Sequence, residues 1–175
     1  MNKKLLFVAA FYASLIAQTI AFAQSTGKYV NVNGMKMYYE VSGKGEPLIV
    51  LHGGYMNIPS MGAIIPKLAE THKVYALELQ GHGRINDINR PITYPNLADD
   101  VAAFMDKVGI KKADVFGYSM GACTGLQLAI RHPEKVNKLI ISSVAYDAEG
   151  WQPEYKAFIH QMTVEMFVNM PLAES

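Results

Sequence analysis

The segment Val115-Phe116-Gly117-Tyr118-Ser119-Met120-Gly121 sets a serine between two glycines, each two residues away. An apolar, strand-like run precedes it and a helix-like run follows. A strand that turns straight into a helix needs a tight corner, and the residues two positions either side of the corner come close together. Glycine fits there because a side chain would clash. The corner residue then lifts its hydroxyl above the sheet at a helix start, where unpaired N–H groups and the helix dipole favour developing negative charge. That is the chemistry of a nucleophilic serine at position 119, with the N–H of Met120 facing the same place. The plainer reading is a glycine-rich strand-to-helix turn.

A second loop fits the first. His52-Gly53-Gly54 follows the apolar run Leu48-Ile49-Val50-Leu51. Two glycines let backbone N–H groups face a site, and with Met120 they would complete an oxyanion hole. Gly54 is the leading contributor and Tyr55 the second. A serine hydroxyl is a weak nucleophile until a base takes its proton, and the base needs an orienting carboxylate. The chain has five histidines. His52 and His82 fall at strand ends near the site and read as packing residues, while His72 and His132 flank elements away from it. His160 lies in a helix-like stretch. Asp147 follows the last clear strand and reads as a solvated hinge residue, with the role of orienting acid as the alternative. Cys123 reads as a small core residue. No cluster has metal-ligand spacing and no glycine loop suggests a nucleotide, so neither metal nor cofactor is expected.

The elements that must position these residues follow from the apolar patterning. Residues 28–33 and 35–41 read as strands around the turn dipeptide Asn33-Gly34. Residues 48–51, 74–79, 113–116 and 136–142 read as further strands. Residues 61–70, interrupted at Pro66, residues 97–108 and residues 119–131 read as helices. In the second of these Leu97, Val101, Met105 and Val108 share a face, Asp99 and Asp100 would occupy the first turn, and Gly109 closes it. In the third, Gly121, Gly125 and Ala129 form a smooth stripe for close packing. Strands alternating with helices predict an α/β fold, a mostly parallel sheet with helices on both faces and the site at the strands' carboxyl ends.

With these motifs in place, the chain resembles the N-terminal portion of an α/β-hydrolase-fold protein of the serine-nucleophile branch. The resemblance rests on LIVLHGG (48–54), YALELQGHGR (75–84), VFGYSMG (115–121) and KLIISS (138–143), in the family's order and spacing. It implies that Ser119 is the nucleophile and that Gly54 and Met120 supply the oxyanion-hole N–H groups. It also implies a triad acid and histidine on loops after the last strands. The sequence through Ser175 contains neither those loops nor the final strands, so the expectation is a truncated core with an exposed edge at residues 136–142. Gln80 stands where many members carry proline. The implied activity is hydrolysis of a carboxylic ester or similar acyl bond through a Ser119 acyl-enzyme. The alternatives are an inactive binding remnant, or acyl transfer, cofactor-free perhydrolysis or carbon–carbon bond hydrolysis on the same elbow.

Bulk composition bounds the rest. The chain has 175 residues, a formal net charge of +1, half of its residues hydrophobic and a single cysteine. That is a globular composition with no electrostatic reason to bind nucleic acid and no internal disulfide. Met1-Asn2-Lys3-Lys4, an apolar run and Ala21-Phe22-Ala23 read as a secretory signal. The expected division is a signal peptide at 1–23, hydrolase core at 24–145 and the start of a helical cap or lid at 146–175. Phe158, Met162, Met166 and Met170 recur every four residues in that cap. The expected location is periplasmic or secreted, with an N-terminal membrane anchor as the alternative. The expected partner is a small-molecule substrate of apolar character, and the patterning does not define an oligomeric state.

Overall fold

Asn33 and Gly34 both take positive φ, 45° and 87°, as a two-residue hairpin turn requires. They join β1 (Lys28–Val32) to β2 (Met35–Ser42), with Val32 opposite Met35. The computed structural model describes residues 27–144, together with residues 153, 154 and 157. The remaining strands are β3 (Glu46–Leu51), β4 (His72–Leu77), β5 (Ala113–Tyr118) and β6 (Val136–Ser142). The α-helices are α1 (Ile65–Ala69), α2 (Tyr94–Lys107) and α3 (Met120–Arg131), with short 3-10 turns at Pro59–Met61 and Pro133–Lys135.

The six strands form one sheet in the order β1-β2-β4-β3-β5-β6. The last four of that order run parallel, and β1 and β2 are antiparallel to their neighbours. Leu48, Ile49, Val50 and Leu51 are all buried. Successive strand residues point to opposite faces, so both faces of β3 are covered. The expected stripe on α2 is present: Leu97, Val101 and Met105 are fully buried and Val108 is half-buried. Among the described residues β6 is a sheet edge, with Ile140 and Ile141 exposed.

The chain passes from β3 outward to β4, then crosses back to β5 on the other side of β3. The strand order therefore reverses between β3 and β5. Ligand crevices in open α/β sheets form at that reversal, outside the carboxyl ends. The loop after β3 carries His52-Gly53-Gly54, and β5 leads directly into Ser119.

Several boundaries differ from expectation, and three of the differences have a clear local reason. Strand β4 starts two residues early and stops at Leu77 rather than Leu79. Glu78 N–H still reaches Tyr38 O (3.0 Å), but Leu79 N–H leaves the ladder to donate to His52 Nε2 (3.1 Å). Helix α2 starts one turn early, because Thr93 caps it, its Oγ1 accepting from Asn96 N–H (3.2 Å), and Pro95 fits the first turn. Asp99 and Asp100 are consequently not first-turn residues. The region 61–70 divides into a 3-10 turn and the short α1, with Pro66 at the start of α1.

Candidate active site

Ser119 is the corner residue, with φ 51° and ψ −113°. A non-glycine residue there carries strain, and strain of this kind concentrates at functional sites. The neighbouring bonds hold it. Ser119 N–H donates to Ser142 O at the end of β6 (2.9 Å), and Ser119 O accepts from Ala122 N–H (2.9 Å) and Cys123 N–H (3.0 Å). The serine is thus the N-cap of α3 rather than its first helical residue. Met120 opens the helix, and a first-turn N–H has no acceptor within its own helix.

The flanking glycines are required by contact. A β-carbon on Gly117 would overlap the carbonyl oxygen of Gly121, and one on Gly121 would overlap Leu51 O and lie 2.6 Å from His52 O. The elbow and the end of β3 are therefore pressed backbone to backbone. The loop after β3 closes over the corner. A β-carbon on Gly53 would lie 2.8 Å from Met56 Sδ and 3.4 Å from Ser119 Cβ, and one on Gly54 would lie 3.9 Å from Met120 Cβ and Sδ. Tyr55 adopts a positive φ of 59° and is 77% exposed. The structure thus brings together Ser119, Gly53, Gly54, Met56 and Met120, with Tyr55 exposed on the same loop.

His52 braces this loop. It is 1% exposed; its Nδ1 contacts Gly53 O (2.7 Å) and its Nε2 accepts from Leu79 N–H. A carbonyl only accepts and an N–H only donates, so the ring is neutral and carries its proton on Nδ1. Burial, the dominant cause, pushes its pKa down to about 4, with the nearby His82 lowering it further and the Gly53 carbonyl opposing. A buried neutral ring with both nitrogens occupied is a structural post, as its sequence position suggested. His82 donates through Nδ1 to Gln80 O (2.8 Å), its ring 5.3 Å from that of His52.

The other histidines are engaged elsewhere. His72 Nδ1 contacts Thr71 Oγ1, and His132 Nε2 contacts Asp99 (2.8 Å) between α2 and α3. Among the described residues no histidine is hydrogen-bonded to Ser119. Asp147 and His160 lie outside the described residues, as do the expected signal peptide and Phe158, Met162, Met166 and Met170. No helix among the described residues is long and apolar enough to cross a membrane.

Residues 46–163 match the family model described as alpha/beta hydrolase fold. The chain belongs to the α/β-hydrolase fold family. It is 34% identical over 113 residues to an uncharacterized hydrolase, YraK, of Bacillus subtilis, covering 63% of this chain and 42% of that protein. It is 32% identical over 149 residues to a pimeloyl-[acyl-carrier protein] methyl ester esterase of Aeromonas hydrophila, covering 77% and 57%. A solved structure described as an N-acyl homoserine lactone degrading enzyme superposes with a TM-score of 0.69 at 30% identity, covering 77% of this chain and 52% of that one. The chain therefore spans roughly half the length of these α/β-hydrolase relatives.

Two features of the rim, Glu78 and the role of Gln80, were not assigned from the sequence. Glu78 is fully buried and accepts from Arg84 N–H (2.5 Å) and Nη1 (2.7 Å), and a β-carbon on Gly83 would overlap its carboxyl group. Gln80, also fully buried, joins Asp87, Arg90 and Asp100. Both fall at the end of the apolar run that began in β4, alternating with Leu79. A polar residue inside such a run is the signal that could have marked them.

Proposed function

We propose that this protein is a serine hydrolase acting on a carboxylic ester or similar acyl bond, with Ser119 as nucleophile and Gly54 and Met120 as oxyanion-hole donors. The observation that carries the reading is the strained Ser119 at the reversal of strand order, with the glycine loop after β3 closed against it. Ser119 Oγ attacks the carbonyl carbon while its proton passes to a general base. The carbonyl oxygen takes negative charge in front of the two backbone N–H groups. The C–O bond to the leaving alcohol then breaks, and the alcohol departs with that proton. Water attacks the acyl-serine, releasing the acid and restoring the hydroxyl. The base and its acid lie outside the roles supported among the described residues.

The side chains around the corner support an apolar substrate. Met56 places its thioether against Gly53 and Met120 its thioether near Gly54, and Tyr55 presents an exposed ring on the same loop. Thioethers are polarizable and adapt to varied apolar shapes. We also propose an exported protein, periplasmic or secreted, with a signal peptide at 1–23 and a cap from 146 onward.

The test is a fluorophosphonate probe on the folded chain, with the labelled residue mapped by mass spectrometry. Labelling at Ser119 that vanishes in Ser119→Ala, with turnover of p-nitrophenyl esters by the wild type, supports the reading. Absence of labelling in protein shown to be folded overturns it.

A further inference from the structure

The loop after β4 is fastened to α2 and to the β1–β2 turn by one partly buried polar cluster. Gln80 Nε2 donates to Asp87 Oδ1 (2.8 Å) and to Arg90 O (2.9 Å). Its Oε1 accepts from Arg90 Nε (3.0 Å) and from Arg90 Nη2. Both amide protons and the amide oxygen are therefore in use, in a side chain with no exposed surface. Arg90 forks onward to the fully buried Asp100 of α2, through Nη1 to Oδ1 (3.0 Å) and Nη2 to Oδ2 (2.5 Å). Asp100 Oδ1 accepts again from Asn33 Nδ2 (2.9 Å) in the β1–β2 turn. Gln80 and Asp100 are fully buried, Arg90 is half-buried, and Asp87 and Asn33 close the network at the surface; satisfied buried polar groups of this kind rigidify what they join.

What it joins leads to the elbow. Leu79, next in chain to Gln80, donates its N–H to His52 Nε2, and His52 in turn holds Gly53 O. Beside Gly53 there is too little room for a β-carbon, with Ser119 among the neighbours, and a β-carbon on Gly54 would come into contact with Met120. His82 returns to Gln80 O, its ring beside that of His52. The backbone on both sides of Gln80 thus supports the imidazole that supports the glycine loop.

We infer that Gln80, clamped by Arg90 and Asp100, is a positioning residue for the oxyanion loop, holding Leu79 N–H in line with His52 so that Gly53 and Gly54 keep their place over Ser119. The inference rests on the Ser119 reading for its catalytic consequence, but not for the coupling itself.

The experiment compares wild type, Gln80→Leu, Arg90→Lys and, as a control for general loosening, Arg131→Ala. Arg131 pairs with Asp99 between α2 and α3, away from the loop. Two quantities are measured on protein folded at the assay temperature. One is hydrogen exchange of the Leu79 amide, read with the nitrogen-15 shifts of the His52 ring. The other is the limiting rate of fluorophosphonate labelling, separated from the concentration giving half that rate. In Gln80→Leu the Leu79 amide is expected to exchange about tenfold faster and the limiting labelling rate to fall about tenfold, as follows from one buried network losing its hub. The half-saturating concentration should stay unchanged. Arg90→Lys, which keeps the charge and loses the fork, should fall between. Arg131→Ala should lower Tm without either effect. If Gln80→Leu behaves like Arg131→Ala, the inference is overturned. If Gln80→Leu does not fold, Arg90→Lys decides on the same criteria. If wild type is not labelled, the Ser119 reading fails, and the exchange and ring shifts alone decide the coupling.

Discussion

Ser119 holds its position because two neighbours have no side chain, and the two glycines on the inner face of α3 differ in what crowds them. At Gly121 the obstacles are the backbone oxygens of Leu51 and His52, which cannot turn aside. At Gly125 they are Leu139 Cδ1 (3.1 Å) and Val115 Cγ1 (3.3 Å), the ends of side chains that can shift by a few tenths of an ångström. Gly121→Ala is therefore expected to cost about 3 kcal/mol, since α3 must move off β3. Gly125→Ala should be nearly neutral, its clash offset by the roughly 1 kcal/mol that alanine gains over glycine within a helix. Urea unfolding of the two variants checks this, and equal losses would refute the contrast. The same strain argument applies to Ser119. Ser119→Gly relieves a φ of 51° and is expected to raise stability by about 1 kcal/mol while abolishing labelling. A drop in Tm would show that the elbow is held without strain.

At the scale of elements, boundaries were legible where the signal is local and were missed where it is tertiary. Strand β6 spans Val136–Ser142 as expected around its apolar Leu139–Ile141 run, and the Asn33-Gly34 turn followed from two residues. The start of α2 was misplaced because Thr93, Tyr94 and Pro95 lie outside the apolar stripe. The cap is nonetheless ordinary: Thr93 Oγ1 on Asn96 N–H. Thr93→Ala should cost about 1 kcal/mol and Thr93→Ser almost nothing, measured by thermal unfolding. Equal losses for the two would mean that the methyl group rather than the hydroxyl matters. Placing the helix correctly also reassigns its two aspartates. Asp99 ties α2 to Arg131 at the end of α3 and to its C-cap His132, and Asp100 ties it to Arg90 and Asn33. The elbow and the glycine loop were readable because tight backbone geometry restricts residue type at fixed spacing. The Gln80 cluster was not, because its members at 33, 80, 90 and 100 meet only after the sheet and α2 have packed.

For the whole molecule, His52 sets how stability responds to acid. Folded, the ring keeps its proton on Nδ1 alone and titrates at about 4 against an ordinary 6.5. Unfolded, it takes up a second proton near 6.5. Between those values the unfolded chain binds more protons, so stability must fall as pH falls. The contribution is fully present above 6.5 and is lost progressively as pH drops through 4. A gap of this size corresponds to about 3 kcal/mol. The carboxylates act later. Asp99, held down chiefly by Arg131, and Asp87, held down chiefly by Gln80, titrate below the ordinary 3.8. Their stabilisation is lost only as pH falls through those lowered values. The window from 6.5 to 4 thus isolates the imidazole from these two acids. Urea midpoints at pH 7, 5.5 and 4.5 should fall steadily in wild type. His52→Gln, whose amide offers a donor and an acceptor but does not titrate, should start less stable and lose much less over the same range. Parallel slopes for the two proteins would mean that another group governs the acid response. A flatter slope in His52→Gln would tie the acid limit of the fold to the residue that braces the oxyanion loop, so that a drop in pH releases Leu79 from His52 Nε2 and loosens the candidate site as it destabilises the whole.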